Sequence, residues 1–365
     1  MASFWQKIRK DFPITGNGTY LDHAAGGPIS KPVLAKIQNH YQENALESDF
    51  AWMKWIKQRE AVRRTVAKFI NAAPEEVGFV GSTSQGMNFA AEMVADQGAV
   101  LTNTSEFPSS TVPWLNRNAK MIWQKQEEGK VSLRKLKSLL SPSVKTIVSS
   151  YVQYGTGFRQ DLAALGKIKG SRYLVVNATQ GFGALPIDVK KWKADFLCTN
   201  SYKWLMAGYG GGVFYIRKEL LSKLKPVTVG WRSMRVPEQM DNRKLDIKPE
   251  ASRYEMGCPP FPAIIGVGTA CDYLMQIGMG KIEKRILELT DFAIQMLERK
   301  GYEILSPLDP KHRSGIVVFK VNDAVRVWKK LLSAKIYVSP RGGGIRLAPH
   351  FYNSFEEIEK FGAAL

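Results

Sequence analysis

The sequence predicts an α/β protein with a mostly parallel sheet, and two observations support this fold class. Residues 173–176 are four consecutive apolar residues, which is typical of a parallel strand buried on both faces. Residues 196–198 and 213–216 predict two further strands. Residues 34–45 and 52–69 place their apolar side chains on one helical face, so they predict helices that pack against the sheet.

Composition limits the class of protein. The chain has 365 residues, of which 44% are hydrophobic, and this is enough to bury a core for two lobes of one enzyme. Its three cysteines have no paired spacing, which argues against a disulfide framework or a metal site and favours a reducing, cytoplasmic location. We expect no membrane association, because no signal-peptide pattern is present and no apolar run approaches the roughly 20 residues that span a bilayer.

The formal charge is +19, from 52 Lys and Arg against 33 Asp and Glu. Such an excess can indicate nucleic-acid binding. Here the basic residues are dispersed over the polar faces of amphipathic segments, with neither a basic tail nor a nucleic-acid motif. We therefore expect no nucleic-acid partner, and a positive field that steers anionic substrates instead.

Residues 77–88 predict a short strand, a tight polar loop and the start of a helix. Small residues there allow backbone N–H groups to approach an anion, and the helix N-terminus adds positive potential. Thr83 and Ser84 add hydroxyl donors. The segment predicts a phosphate site, although Ser or Thr before a helix is often only a cap.

Lys203 is the candidate for covalent chemistry. It follows the strand at residues 196–198 and a short polar loop, and a glycine cluster separates it from the strand at residues 213–216. A lysine at the mouth of a buried strand is poorly solvated, so its amine can lose its proton near neutral pH and attack a carbonyl. A surface lysine at a strand end is the alternative, and the upstream sequence decides against it.

Upstream, Asn177 and Gln180 stand at the carboxyl end of the strand at residues 173–176, where ligands bind in open α/β sheets. A Gly-x-x-Pro step and Asp188-Val189 follow, then the tetrapeptide at residues 201–204, Ser-Tyr-Lys-Trp. This pattern resembles the class V aminotransferases, which are fold-type-I pyridoxal-phosphate (PLP) enzymes such as cysteine desulfurases and kynureninases. The resemblance covers about residues 20–360.

The resemblance implies a fold like that of aspartate aminotransferase. A large PLP-binding domain, residues 15–255, would hold a mostly parallel seven-stranded sheet between helices. A smaller α+β domain would comprise residues 256–365 together with residues 1–14. It also implies a homodimer, because the family's segment corresponding to residues 253–260 reaches the cofactor of the neighbouring subunit.

The same resemblance assigns roles to several side chains around the cofactor. Phe107 would stack on the PLP ring, Gln180 would hydrogen-bond its phenolic oxygen, and Gln153 is a further possible contact to that oxygen. Ser201 and Tyr202, directly before the lysine, would bind the cofactor, with the phenol reaching the phosphate. Thr83 and Ser84 would complete the phosphate site.

Further roles fall on residues at the two ends of the chain. His23 and Ala24 belong to the segment that lines the substrate pocket in the family. Cys258 stands where the family has a threonine that contacts the partner's phosphate. Arg346, in a stretch that resembles the family's Arg-x-Ser-Pro-His motif, would hold the substrate α-carboxylate with its planar fork.

Asn177 is the main departure from the family pattern. The family places an aspartate there, and a carboxylate opposite a pyridinium favours the charged ring. An amide cannot supply that charge; it can accept one N–H or donate to a neutral nitrogen. The electron sink is therefore predicted to be weaker.

The predicted activity follows from these residues. We expect a PLP enzyme that acts on an amino acid through a Schiff base on Lys203, as an aminotransferase or lyase, without a metal. We expect that it is not a cysteine desulfurase, because no cysteine stands between Ser333 and Arg346 to act as nucleophile. Two alternatives stay open: an amino-acid epimerase or racemase, or a PLP-fold binding protein that catalyses weakly because of Asn177.

Overall fold

The computed structural model describes residues 3–365, and a seven-stranded sheet lies at its centre. In spatial order the strands are β2-β8-β7-β6-β5-β3-β4. β8 runs opposite to the other six strands of this sheet, so the predicted mostly parallel, seven-stranded sheet is confirmed. The strands of this sheet are β2 Val77–Val80, β3 Ala99–Asn103, β4 Met121–Gln124, β5 Val144–Ser150, β6 Tyr173–Asn177, β7 Phe196–Asn200 and β8 Gly212–Ile216.

Helices pack on both faces of this sheet. The predicted helices at residues 34–45 and 52–69 are confirmed as parts of α2 and α3. The helices are α1 Phe4–Arg9, α2 Lys31–Glu47, α3 Trp52–Phe69, α4 Thr83–Val94, α5 Val112–Leu115, α6 Leu133–Ser138, α7 Leu162–Ile168, α8 Val189–Trp192, α9 Lys218–Leu221, α10 Phe261–Ile277, α11 Met279–Arg299, α12 Ala324–Ser333 and α13 Phe355–Ala364. Within residues 3–365, no helix is long and apolar enough to cross a membrane.

The two faces of β6 show why the central strands form. Val175 packs into the apolar cluster on the α4 side, whereas Leu174 and Val176 pack into the cluster on the opposite side. All three side chains are fully buried, and burial of each stabilises the fold by about 1.5–3 kcal/mol. The apolar run ends at Asn177, where the strand reaches the carboxyl edge of the sheet.

A smaller antiparallel sheet lies in the C-terminal part of the chain. It has the order β11-β12-β9, formed by β9 Val317–Phe319, β11 Ser339–Arg341 and β12 Gly344–Leu347. Near the N-terminus, β1 Thr19–Tyr20 pairs in parallel with β10 Ile336–Tyr337. This pairing brings residues 19–28 to the hairpin that carries Arg346. The division of the chain at residue 255 stays a prediction.

Candidate active site

Lys203 lies in a tight turn that follows β7 at the carboxyl edge of the large sheet. Ser201 holds this turn, because its buried hydroxyl donates to the carbonyl of Gly208 over 2.6 Å. The backbone of Gly27 crosses so close to the lysine that a Cβ there would lie 2.1 Å from the carbonyl oxygen of Lys203. Only glycine fits this crossing, so the turn and the segment at residues 20–28 hold each other in place.

The amine of Lys203 is poorly solvated and lies among aromatic and charged groups. Its Nζ is 5.7 Å from the ring centroid of Phe107 and 5.8 Å from that of Tyr202. Burial lowers the pKa of Lys203 to about 8; the charge of Arg346 also lowers it, whereas Asp22 raises it. A substantial fraction of this amine is therefore neutral near pH 7.5 and able to attack an aldehyde.

The lysine opens into a pocket with an empty volume of about 510 Å³. The first turn of α4 forms one wall, where Ser82, Thr83 and Ser84 line the pocket. The hydroxyl of Thr83 shares a 2.7 Å hydrogen bond with that of Thr179 from the opposite wall. Unpaired N–H groups and the positive end of the helix dipole attract anions, so this wall suits a phosphate.

Asn177 lines the same pocket at the end of β6. Its Oδ1 accepts the backbone N–H of Thr179 over 3.0 Å, and its Nδ2 donates to the hydroxyl of Ser110 over 2.9 Å. The amide orientation is set by Thr179, since a backbone N–H requires an acceptor. The amino group therefore keeps a second N–H for a ligand in the pocket.

Gln180 is held at the same edge by bonds to two other segments. Its Nε2 donates to the carbonyl of Ala24 over 2.9 Å, and its Oε1 accepts from the indole of Trp204 over 2.7 Å. This leaves one N–H of Gln180 without a protein partner in the described part of the chain. Because the side chain is held from two directions, that N–H has a fixed position in the pocket.

The residues of the pocket fit PLP. Asn200, at the end of β7, has a buried Oδ1 that lacks a hydrogen-bond partner among residues 3–365. A buried polar atom without a partner costs about 1–3 kcal/mol, so a polar ligand is favoured in this pocket. PLP also has a phosphate for the α4 wall, an aromatic ring for Phe107 and an aldehyde for Lys203.

Arg346 lies beside this pocket, in an ion pair that the sequence did not reveal. Its Nη2 is 3.3 Å from Oδ1 of Asp22, and its Nη1 donates to the carbonyl of Tyr154 over 3.1 Å. Its buried Nε has no partner among the residues that the structure describes. Ser339 donates to the other carboxylate oxygen of Asp22 over 2.5 Å. Arg346 is 3% exposed, and burial lowers its pKa. Three of its five N–H donors remain for a carboxylate.

Glu106 is a second functional residue that sequence reasoning missed. This buried carboxylate accepts four hydrogen bonds, from Asn103, from the backbone N–H and hydroxyl of Ser150, and from Gln153. The network ties the ends of β3 and β5 together directly behind Phe107. We infer that Glu106 positions the aromatic ring over the pocket. The only signal in the sequence was a charged residue after a predicted strand.

The structure places His23 and Ala24 behind the pocket rather than in its wall. His23 is fully buried, and burial lowers its pKa to about 4. The neutral ring bonds the carbonyl of Ala348 and the hydroxyl of Tyr352, each over 2.9 Å. Ala24 contributes only its carbonyl, which holds Gln180. Both residues therefore support the site from outside its wall.

Three other predicted residues also lie away from the pocket wall. Ser201 is buried in the turn, and Gln153 is buried against Glu106. Cys258 is exposed and does not line the pocket of this chain. The structure does bring together Thr83, Ser84, Phe107, Asn177, Gln180, Tyr202 and Lys203.

Comparisons with known proteins agree with this geometry. A family model described as aminotransferase class-V matches residues 19–361. A protein of Bacillus subtilis named uncharacterized aminotransferase YcbU is 29% identical, over 97% of this chain and 95% of its own length. A probable cysteine desulfurase of Pyrococcus abyssi is 30% identical, over 98% of this chain and 95% of its own length. The apo structure of a cysteine desulfurase from Thermococcus onnurineus superposes with a TM-score of 0.88 at 26% identity, covering 100% of this chain and 98% of that one.

These comparisons correct one expectation. The prediction that the chain is not a cysteine desulfurase is contradicted by relatives and a structural neighbour that carry this name. The prediction rested only on the missing cysteine before Arg346. One loop was too narrow a criterion, because sulfur can be transferred to a thiol that lies outside that loop or in another molecule.

Proposed function

The chain belongs to the class V aminotransferase family and is a PLP-dependent enzyme that acts on amino acids, and we propose that it releases sulfur from cysteine or a cysteine derivative. The observation that carries the proposal is a buried lysine of lowered pKa beside an anion-binding wall and an arginine fork. Relatives named cysteine desulfurases support the choice of a sulfur amino acid.

Each part of the cofactor has a group to hold it. The α4 wall with Thr83 and Ser84 would hold the phosphate, Phe107 the ring face, and Asn177 and Gln180 the polar ring atoms. When bound, PLP supplies an electron sink for the pair left when a bond to the substrate α-carbon breaks. Lys203 would supply the amine that bonds the cofactor's aldehyde.

The chain's own residues then act on the substrate. Arg346 receives the α-carboxylate on its unused N–H donors, since a planar fork matches a carboxylate. This fixes the α-carbon relative to Lys203. With a pKa of about 8, the amine can take the α-proton and return it at neutral pH. The aromatic rings of Phe107 and Tyr202 reduce the access of water to that proton.

Two balanced reactions can release the sulfur of cysteine. Cysteine and water give pyruvate, ammonia and hydrogen sulfide when the Cα–H, Cβ–S and Cα–N bonds break and water supplies the keto oxygen. Alternatively, cysteine gives alanine while its sulfur passes to an acceptor thiol. Both routes break the Cβ–S bond after proton removal by Lys203. The ratio of alanine to pyruvate distinguishes them.

The test is sulfide release from L-cysteine by the holoenzyme with dithiothreitol as sulfur acceptor, with alanine and pyruvate quantified. We expect Lys203→Ala to lower the rate at least about 100-fold, in the range found for general-base removal. Lys167→Ala, at an exposed lysine on α7, serves as the control and should keep the rate. Cofactor-loaded wild type that releases no sulfide from cysteine or cystine would refute the proposal.

We also propose a cytoplasmic homodimer. Large apolar side chains are exposed on the surface, with Phe50 98%, Leu46 86%, Met240 78% and Leu245 72% exposed. Exposed apolar patches commonly mark interfaces, and symmetric dimers are the commonest closed assembly. Light scattering of the PLP-bound protein at micromolar concentration should give twice the chain mass. A monomer mass would contradict the dimer.

A further inference from the structure

The hairpin formed by β11 and β12 carries a second arginine towards the active site. Ser339 pairs with Arg346 across the hairpin, and Ser339 donates to Asp22. Side chains alternate along a strand, so Arg341 lies on the same face as Ser339, about 6–7 Å further along. Arg341 therefore extends the row of charged groups that begins with Asp22 and Arg346.

The hairpin tip is fixed against the pocket rim. Gly342 and Gly343 both have positive φ, of 70° and 85°, which only glycine adopts readily. A Cβ on Gly342 would lie 2.1 Å from the carbonyl oxygen of Gly155. Gly155 follows Tyr154, which lines the pocket and accepts a hydrogen bond from Arg346. The direction of Arg341 is thus set by a turn that packs on the pocket wall.

Arg341 has no structural task of its own. It is exposed, and within residues 3–365 its side chain forms neither a hydrogen bond nor an ion pair. Its charge nevertheless affects the site. The pKa of Lys203 is lowered by burial and by Arg346, and Arg341 lowers it further; the charge of Arg341 also lowers the pKa of Asp22. Because its guanidinium is exposed and unpaired within residues 3–365, it is available to an anion that enters the site.

Arg341 remains available for a second anionic group of the substrate, in addition to the α-carboxylate. Arg346 still has unused N–H donors, so it can receive an α-carboxylate while it keeps Asp22. The α-carboxylate therefore does not need Arg341. A group further along the substrate side chain is the remaining anion that can meet it.

We propose that Arg341 binds an anionic group at the γ position of the substrate, so that the site favours amino acids with a side-chain thiolate or carboxylate over neutral ones. The inference rests on the proposed function for its substrate, cysteine, whose thiolate is such a group. A thiolate at that position is also the anion that must be stabilised when sulfur leaves.

Calorimetric binding of L-aspartate and L-asparagine to the holoenzyme tests the inference, because the two ligands differ in side-chain charge but not in size. For Arg341→Gln we expect the affinity for aspartate to fall about 10- to 100-fold, as for loss of a charged hydrogen bond. The affinity for asparagine should change less than about 3-fold, and Arg341→Lys should recover part of the loss.

Arg326→Gln is the matched control, since Arg326 is an exposed arginine on α12 whose side chain pairs with no group within residues 3–365. It removes the same net charge and should leave both affinities unchanged. Equal losses for aspartate and asparagine, or the same loss in both variants, would overturn the inference. The binding assay needs no turnover. Failure of sulfide release with selective loss of aspartate binding would refute the proposed function and leave the role of Arg341 standing.

Discussion

Asn177→Asp should strengthen the electron sink of the bound cofactor. The wild-type amide accepts the N–H of Thr179 and donates to Ser110, which leaves one N–H for the ring nitrogen. A donor at that position favours an unprotonated ring nitrogen, whereas a carboxylate favours a protonated one. The substitution therefore changes the charge that the ring nitrogen carries.

The surroundings of residue 177 can accommodate the new charge. A carboxylate would still accept the N–H of Thr179, and the hydroxyl of Ser110 can rotate to donate to its second oxygen. An opposite charge raises the pKa of the ring nitrogen by about 1–3 units, which equals about 1.4–4 kcal/mol. If this whole free-energy difference stabilises the transition state for α-proton removal, the rate rises roughly 10- to 1,000-fold.

Two assays measure the effect. NMR of the holoenzyme with ¹⁵N-labelled PLP reports the protonation of the ring without turnover. Solvent deuterium exchange at Cα of L-alanine and the formation of pyridoxamine phosphate report proton removal. Asn200→Asp places the same charge at the end of the neighbouring strand and controls for a general change of potential. Unchanged ¹⁵N shifts and unchanged exchange in Asn177→Asp would refute the assignment of residue 177 to the ring nitrogen.

Three further predictions concern stability. For the apo protein at pH 7, Lys203→Met should raise the free energy of unfolding by about 3 kcal/mol. In the wild type, the pKa of this lysine is 10.5 in the unfolded chain but about 8 in the folded protein, so protonation favours unfolding. Chemical denaturation should show the gain in stability at pH 7 and its loss as pH rises from 8 towards 10.5. Asp22→Asn should lower the free energy of unfolding by about 3 kcal/mol, because the charge of Arg346 would stay buried and uncompensated. Thermal unfolding should show that added propionate restores part of this stability. A variant as stable as the wild type would exclude the ion pair. Glu106→Gln should cost about 1–3 kcal/mol in urea unfolding, because the N–H donors of Asn103, Ser150 and Gln153 would keep an oxygen acceptor but lose its negative charge. Glu359→Gln, on an exposed face of α13, should be neutral.

Much of the site could be predicted because it is built from strand ends. Asn177 and Lys203 follow apolar runs whose carboxyl ends meet at one edge of a parallel sheet. Thr83 and Ser84 begin a helix directly after another strand of that sheet. Local patterns were sufficient to place these residues in one pocket.

Contacts between distant segments could not be predicted in this way. Asp22 and His23 are adjacent, yet Asp22 meets Arg346 while His23 points into the core. Nothing in the periodicity of a short irregular segment indicates which side chain faces the pocket. Asp22 and Arg346 are 324 residues apart in the chain, so their pairing depends on how β1 docks beside β10. The network of Glu106 likewise joins two strand ends.

The most direct test of the account is the site of cofactor attachment. Purified protein loaded with PLP would be reduced with borohydride and digested, and the pyridoxyl adduct would be mapped by mass spectrometry. The buried amine at the end of β7 predicts a single adduct, on Lys203. An adduct on any other lysine, or none in protein that shows bound PLP, would contradict the account.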